Sequence, residues 1–206
     1  MTDRIGVFAP QYYGSVQYYA VMSMYRHVVI DADLRYNKRF KSVHRCDIAD
    51  TRGRLALTVP VSKPQAGFGG RWRDIKVSDH GMWWQDHRVS LESAYGRTPF
   101  FEFYIDRFLP WLKWRDESIV DFDLGLDATV RRTLALDTEV SYTTDGIDPT
   151  LIDDYRGGSY PDCPLPPYYQ VRADKLGFIP NLSILDLLFN MGTEAPLILM
   201  PWRKSS

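Results

Sequence analysis

Apolar and polar residues follow one another along the first thirty positions in an order typical of a strand, a helix and a second strand. Residues 5–9 are apolar and end at Pro10, as a buried strand does. Ser15 is a suitable N-cap for a helix reaching about Tyr25, and a second apolar run follows at residues 27–31. This order predicts a βαβ unit, with parallel strands joined by a right-handed crossover.

The most aromatic part of the chain, residues 83–114, predicts two consecutive helices. Three residues recur every four positions and so share one face of the first helix: His87, Leu91 and Tyr95. Gly96 is expected to end that helix in the left-handed conformation. Thr98 is the expected N-cap of the second helix, and Pro99 its first residue.

Weaker patterns complete the predicted fold. Short strands are expected at residues 54–61, 72–77, 138–142 and 197–200, the first of them after a hairpin turn at Arg52-Gly53. Two more helices are expected, one with Asp123 as N-cap and one opened by a capping box of Ser183 and Asp186. The sequence therefore predicts one α/β domain over residues 1–206. Its small, partly parallel sheet begins with the βαβ unit, and its centre is the aromatic-rich helical segment.

Residues 145–167 carry five Asp and five Pro together with a Gly-Gly pair, and they predict a long irregular surface loop. Tyr155 and Tyr160 are its large aromatic residues, and one of them is expected to hold the loop to the body. Two interpretations stay open. The loop is either a lid that closes over an anionic substrate or a fixed segment that covers apolar surface.

Composition limits the classes of function. Hydrophobic residues make up 45% of the 206 residues, and the formal net charge is −1, so no nucleic-acid partner is expected. The two cysteines, Cys46 and Cys163, are too few for a disulfide framework and are expected to be free thiols. The first ten residues lack the features of a signal peptide, and no apolar run approaches the roughly 20 residues that span a bilayer. A cytoplasmic protein without membrane insertion is expected.

Candidate chemistry begins with the basic run at residues 35–45. It is either a solvated loop or edge strand, or an anion pocket in which Lys38 and Arg45 bind a phosphate or carboxylate. Gln11, Tyr12 and Asp31 follow the two strands of the βαβ unit, at the edge where such sheets bind ligands.

His87 is a titratable ring on a helix face that otherwise points to the core. It is either a structural histidine or a general acid or base. Glu92 is a second candidate from the same helix, although it is also placed to pair with Arg88 four residues away. The four histidines are scattered and there is no CxxC motif, so no metal site is expected.

Segments spread along nearly the whole chain resemble the WbqC-like family, whose members are often encoded in bacterial surface-polysaccharide gene clusters. The resemblance is carried by residues 10–19, 31, 36–46, 57–61, 87, 90–95, 99–104, 121–122, 169–171 and 177–192. Two segments depart from the family pattern. Val43-His44-Arg45 stands where Arg-Asn-Arg is expected, and His87-Arg88-Val89 stands where His-Trp-Arg is expected. Arg88 is expected to replace the displaced guanidinium from another face.

The resemblance implies a role in O-antigen or related polysaccharide biosynthesis, acting on an activated sugar without a cofactor. One hypothesis is a transferase that takes a nucleotide-linked or lipid-linked sugar, an anionic small molecule. The alternative is a non-catalytic binding or scaffold protein of a biosynthetic complex. The expected catalytic residues are His87, Glu92 and Asp31, and the expected substrate-binding residues are Gln11, Tyr12, Lys38, Arg45, Tyr95 and Gln170. The segments that hold Gln11, Asp31, Lys38, Arg45 and His87 are expected to meet around one cleft.

Overall fold

A four-stranded parallel sheet runs through the centre of the protein. The computed structural model describes residues 4–65, 67–113, 116–161 and 165–199. The strands are β1 (Ile5–Phe8), β2 (His27–Ile30), β5 (Glu139–Ser141) and β6 (Ile152–Asp154), in the order β5-β2-β1-β6. Every neighbouring pair is parallel. Helix α1 (Val16–Met22) connects β1 to β2, and the side chain of Ser15 accepts a hydrogen bond from the Tyr18 amide, so the predicted βαβ unit and its N-cap are confirmed.

A separate antiparallel hairpin follows β2 in the chain. It consists of β3 (Arg45–Asp50) and β4 (Gly53–Thr58). Gly53 has a φ of +114°, a conformation that a side chain at this position would strain, and it forms the turn where the sequence predicts it.

The helices pack around one aromatic centre. They are α2 (Trp83–Tyr95), α3 (Phe101–Phe108), α4 (Ile119–Thr133), α6 (Ile184–Met191) and the short α5 (Ala173–Leu176) and α7 (Ala195–Leu199). The predicted face of α2 is buried, with His87, Leu91 and Tyr95 each below 5% exposure. The ring of Phe189 on α6 lies 5.3 Å from that of Tyr95 and 5.0 Å from that of Phe101, so α2, α3 and α6 share one core.

Several predicted helix boundaries are wrong because side chains bond elsewhere. Helix α4 begins at Ile119 with Ser118 as its N-cap, and Asp123 is a buried residue inside the helix. The Thr98 hydroxyl donates to the Tyr95 carbonyl, and α3 begins only at Phe101. Gly96 does end α2, but with a φ of −58°.

The C-terminal predictions also need correction. Ser183 caps α6, but its own amide donates to the Asp47 carbonyl, so no capping box with Asp186 forms. Residues 195–199 form α7 instead of a strand, and Met200 lies outside the described residues. Of residues 72–77, the first three form a 3-10 turn, because the Asp74 carboxylate accepts from the Arg71 amide.

The segment 145–167 is not wholly irregular. It supplies a 3-10 turn (Pro149–Leu151) and the strand β6, whose partner is β1. Tyr155 and Tyr160 both pack on Phe8, with ring centroids 5.2 and 6.4 Å away, so the expected aromatic anchor is present twice. Cys163 lies outside the described residues.

The chain is thus a single α/β domain with a small parallel sheet and an aromatic-rich helical centre. Within the described segments, no helix has the length and apolar character to cross a membrane.

Candidate functional site

A cavity of about 440 Å³ lies beyond the carboxyl ends of β1 and β6. Its wall contains residues that follow β1, such as Gln11 and Tyr12, and residues that follow β6, such as Arg156 and Tyr160. We call this cavity the cationic cleft. The chain leaves β1 towards β2 on one side, whereas β6 lies on the other side of β1. Parallel α/β sheets bind ligands at such a change of direction.

Long-range hydrogen bonds hold the cleft wall in place. The Tyr12 amide donates to the Ser42 carbonyl at 2.9 Å, which brings the basic run to the end of β1. The Ser183 hydroxyl donates to the Tyr13 carbonyl at 3.0 Å. Tyr13 and Asn181, both in the wall, have left-handed backbones with φ of 43° and 52°. Asn tolerates this conformation, but it costs a residue such as Tyr13 about 1–2 kcal/mol, and such strain is common at ligand sites.

Positive charge dominates the cleft lining. The lining carries one carboxylate, Asp47, and five cationic side chains, which are Arg39, Lys41, Arg45, Arg54 and Arg156. Arg54 pairs with Asp47 at 3.4 Å. Arg156 pairs with Asp31 and with Asp154, at 2.7 Å in each case.

The other three cations lack a carboxylate partner. Within the described residues, no Asp or Glu oxygen lies in ion-pair distance of Arg39, Lys41 or Arg45, and Arg45 instead donates to the Thr58 hydroxyl at 2.9 Å. A chain with a formal net charge of −1 therefore concentrates uncompensated positive charge in one cavity. Such a cavity attracts anions.

The first amides of α1 are already occupied by acceptors of the protein itself. Its first three amides donate within the protein: Val16 to the Leu182 carbonyl (2.9 Å), Gln17 to the Asn181 side-chain oxygen (3.0 Å) and Tyr18 to the Ser15 hydroxyl (3.2 Å). In many doubly wound folds these amides bind phosphate. In this cleft the donors left for an anion are therefore the side-chain cations.

The sequence-predicted binding residues divide between the cleft and its surroundings. Gln11, Tyr12 and Arg45 line the cationic cleft, and the Gln11 amide group donates to the Tyr160 hydroxyl at 2.8 Å. Lys38 is exposed and lies outside the lining, whereas Arg39 and Lys41, which follow it in the chain, belong to the lining.

His87 lies behind the cleft wall. The ring is only 4% exposed, and its Nδ1 is 2.9 Å from the Tyr12 hydroxyl. Burial lowers the pKa of His87 to about 4, although a hydrogen bond to the backbone of Thr58 partly opposes this effect. The ring is therefore neutral at pH 7, and it lies outside the cleft lining, bonded to the fully buried lining residue Tyr12.

Asp31 and Glu92 occupy different places. Asp31 is 7% exposed and accepts from the Arg156 guanidinium at 2.7 Å and from the Asp33 amide at 3.0 Å. Glu92 pairs with Arg88 at 2.8 Å, with both side chains about half exposed, so Arg88 does not point to the cleft.

Tyr95 and Gln170 belong to a different, closed network. They line a cavity of about 10 Å³ between α2 and α6. The Tyr95 hydroxyl accepts from the Ala49 amide at 3.1 Å, and Gln170 donates to the Asp186 carboxylate at 2.8 Å. A cavity of this size has room for one water molecule at most.

Two buried acidic groups lie close to the cleft. Burial raises the pKa of the Cys46 thiol, which is thereby held protonated rather than as a reactive thiolate. Asp123 is 1% exposed, and neither carboxyl oxygen has a hydrogen-bond partner among the described residues. Burial raises the pKa of Asp123 well above its ordinary value, and the neighbouring Asp127 adds to the shift. The described residues hold no group of three or more His, Cys, Asp or Glu arranged for a metal ion.

The sequence did not place Arg54, Arg156 or Tyr160 in a site, although Tyr160 was a candidate anchor of the loop. Each reaches the cleft through tertiary structure, and the only local signal was the Gly-Gly pair that follows Arg156.

Comparison with known proteins gives one match. The model of the WbqC-like protein family matches residues 9–150, about two thirds of the chain. The match covers the basic run and α2, and it ends before β6, Arg156 and the segment 177–192. The chain matches no curated protein and no solved structure.

Proposed function

Because this chain belongs to the WbqC-like protein family, we propose that it is a cytoplasmic, transferase-type enzyme of bacterial surface-polysaccharide biosynthesis. Its substrate would be an anionic activated sugar, linked to a nucleotide or a lipid. The observation that carries this proposal is the presence of three cations in one cavity at the carboxyl edge of the sheet, Arg39, Lys41 and Arg45, none of which has a carboxylate partner in the described part of the chain.

The chemistry of the cleft fits a pyrophosphate group. Nucleotide-linked and lipid-linked sugars share this group, which carries several acceptor oxygens and negative charge. The guanidinium groups of Arg39 and Arg45 offer planar forks of donors, and the Lys41 ammonium offers a compact charge. The cavity volume of about 440 Å³ lies within the range typical of small-molecule sites.

Two groups are candidates for proton transfer in such an enzyme. His87 is neutral at pH 7 and bonded to Tyr12, so it would take a proton from the cleft through the Tyr12 hydroxyl. Asp31 lies beside Arg156 and would act on the opposite side of that arginine.

One observation favours a second candidate function, that of a non-catalytic binding protein of a polysaccharide biosynthetic complex. The titratable groups next to the cationic cleft are engaged or held neutral. Asp47 pairs with Arg54, His87 is buried against Tyr12, and the Cys46 thiol is held protonated. Such a cleft would bind an activated sugar without transferring it.

Calorimetric titration tests the binding site shared by both functions. Wild-type protein is titrated at low salt with UDP-glucose, GDP-mannose and their nucleoside diphosphates, since low salt preserves surface electrostatics. Lys41→Ala and Arg45→Ala are expected to weaken binding by about tenfold each, because a hydrogen bond to a charged group contributes about 1.5–3 kcal/mol. Lys38→Ala tests the sequence-based expectation that Lys38 binds the substrate, although Lys38 lies outside the lining.

Arg52→Ala is the matched control, because Arg52 is exposed and lies outside the cleft lining. It should leave affinity unchanged. Absence of binding by wild type, or an equal loss in the control, would overturn the proposal. Chromatographic detection of a modified sugar or released nucleoside diphosphate, in the presence of cell extract as a source of acceptors, then separates an enzyme from a binding protein.

A further inference from the structure

A second cavity adjoins the cationic cleft. Its volume is about 940 Å³, and it lies beyond the carboxyl ends of β2 and β5, where Asp31 and residues 143–145 line it. We call it the polar cleft. The two cavities share Phe40, Arg156 and Gly157 in their walls. A ligand longer than either cavity can therefore extend from one into the other along Arg156.

The polar cleft has a different charge balance from the cationic cleft. Its lining combines four carboxylates, Asp31, Asp33, Asp145 and Asp154, with three arginines, Arg35, Arg71 and Arg156. Arg71 and Arg156 pair with carboxylates at 2.9 and 2.7 Å. A nearly balanced lining does not favour a second phosphate. It presents many acceptors beside many donors.

Arg156 is held so that it can serve both cavities. Its Nε and its Nη2 each donate one hydrogen bond to the Asp154 carboxylate, and its Nη1 donates one to Asp31 at 2.7 Å. A guanidinium has five N–H groups, so two of them have no protein acceptor among the described residues. The side chain is about one third exposed, and the free donors are available to a ligand in the shared wall.

We propose that the polar cleft binds the sugar ring of the activated sugar while the cationic cleft binds its pyrophosphate. This inference rests on the proposed function and adds to it the orientation of the substrate. Sugar hydroxyls both donate and accept, which matches a lining of carboxylates and arginines. Tyr36 and Phe40 are partly buried aromatic residues of the same lining and supply an apolar surface for the faces of the ring.

Asp145 is the side chain with which the sugar contact can be tested. It is exposed and, among the described residues, has no ion-pair partner, whereas Asp33 already accepts from both Arg71 and Arg73. The Asp145 carboxylate is therefore free to accept from a hydroxyl group. Asp148 lies three residues further along the same segment, outside both linings, and provides a matched control.

The experiment compares affinities for a sugar nucleotide and for its nucleoside diphosphate. UDP-glucose, UDP-N-acetylglucosamine, GDP-mannose and dTDP-glucose are titrated together with UDP, GDP and dTDP. At least one sugar nucleotide is expected to bind wild type about tenfold more tightly than its diphosphate. Asp145→Asn should reduce this ratio about fivefold and leave the affinity for the diphosphate unchanged, whereas Asp148→Asn should change neither.

The outcomes distinguish a failure of the polar-cleft assignment from a failure of the proposed function. If the diphosphates bind but no sugar adds affinity, or if Asp145→Asn weakens sugar nucleotide and diphosphate equally, the assignment of the polar cleft is overturned and the cationic cleft stands. If no diphosphate or sugar nucleotide binds at all, the proposed function fails and the assignment of the polar cleft fails with it.

Discussion

Replacement of Asp123 by Asn should stabilise the protein increasingly as the pH rises. Asp123 lies inside α4, and the groups near its carboxyl are the Asp127 carboxylate, the phenols of Tyr12 and Tyr18 and the Cys46 thiol. None of these is a cation. The fold therefore favours the protonated acid, and Asn is a neutral group of nearly the same shape.

The sign and size follow from proton linkage. The folded-state pKa of Asp123 is raised above the ordinary value of 3.8, so the folded protein binds more protons than the unfolded chain. Stability from this group is greatest below pH 3.8 and falls as the pH rises towards the folded pKa. One pH unit corresponds to about 1.4 kcal/mol in this interval. Asn cannot ionise, so the variant escapes the loss.

Urea unfolding at pH 5, 6 and 7 measures the effect. The difference in unfolding free energy between Asp123→Asn and wild type should grow by about 1.4 kcal/mol per pH unit until the pH passes the folded pKa. Asp121→Asn, an exposed change on the same helix, should give a constant difference. A constant difference for Asp123→Asn as well would show that the carboxylate is ionised in the fold, and the reasoning would be refuted.

Three further predictions test other parts of the structure. The pKa of His87 is lowered from 6.5 to about 4, so its contribution to stability is complete above pH 6.5 and is lost as the pH falls towards 4. In urea unfolding, His87→Gln should therefore remove up to about 3 kcal/mol of this acid sensitivity. An unchanged pH profile would contradict the assigned burial. Trypsin has one cleavage site in residues 145–167, after Arg156. The pairing of β6 with β1 and the ion pairs of Arg156 should protect this site. If the free protein is cut there and nucleoside diphosphate suppresses the cleavage, the segment is a lid instead. Gly125→Ala should destabilise the protein by about 1–2 kcal/mol in thermal or urea unfolding, because the added methyl group overlaps the Trp111 indole. This loss should outweigh the better helix propensity of alanine. A variant as stable as wild type, or more stable, would mean that this indole moves freely.

The local parts of the fold were predictable because periodicity and turn residues act over short distances. The βαβ unit, the hairpin turn at Gly53 and the buried face of α2 follow from such patterns. Strand β6 was missed, since two of its three residues are aspartates in a segment rich in Pro and Gly. Its strand conformation comes from partners far away in sequence, such as the Val7 carbonyl that accepts from the Tyr155 amide at 2.7 Å.

The site was predictable only at the level of segments. The segments of Gln11 and Arg45, which were expected to share a cleft, do line one cavity. The presence there of Arg39 and Lys41 rather than Lys38 depends on the turn that the Asn37 side chain makes with the Arg39 amide. Burial of His87 behind Tyr12 is a tertiary fact as well. A helix pattern shows that a residue faces inwards and does not show what it meets there.

The position of β6 has a consequence for how the chain reaches its native state. β1 can pair with its second neighbour only after residue 154 has been synthesised, and the first two amides of α1, those of Val16 and Gln17, find their acceptors only with Leu182 and Asn181. In a nascent chain that has left the ribosome only up to residue 150, β1 is therefore an unpaired edge of the sheet, and the Val16 and Gln17 amides lack their acceptors although Ser15 already caps α1. The stretch that the family model matches, 9–150, lacks β1 and β6 and should not fold as an excised fragment.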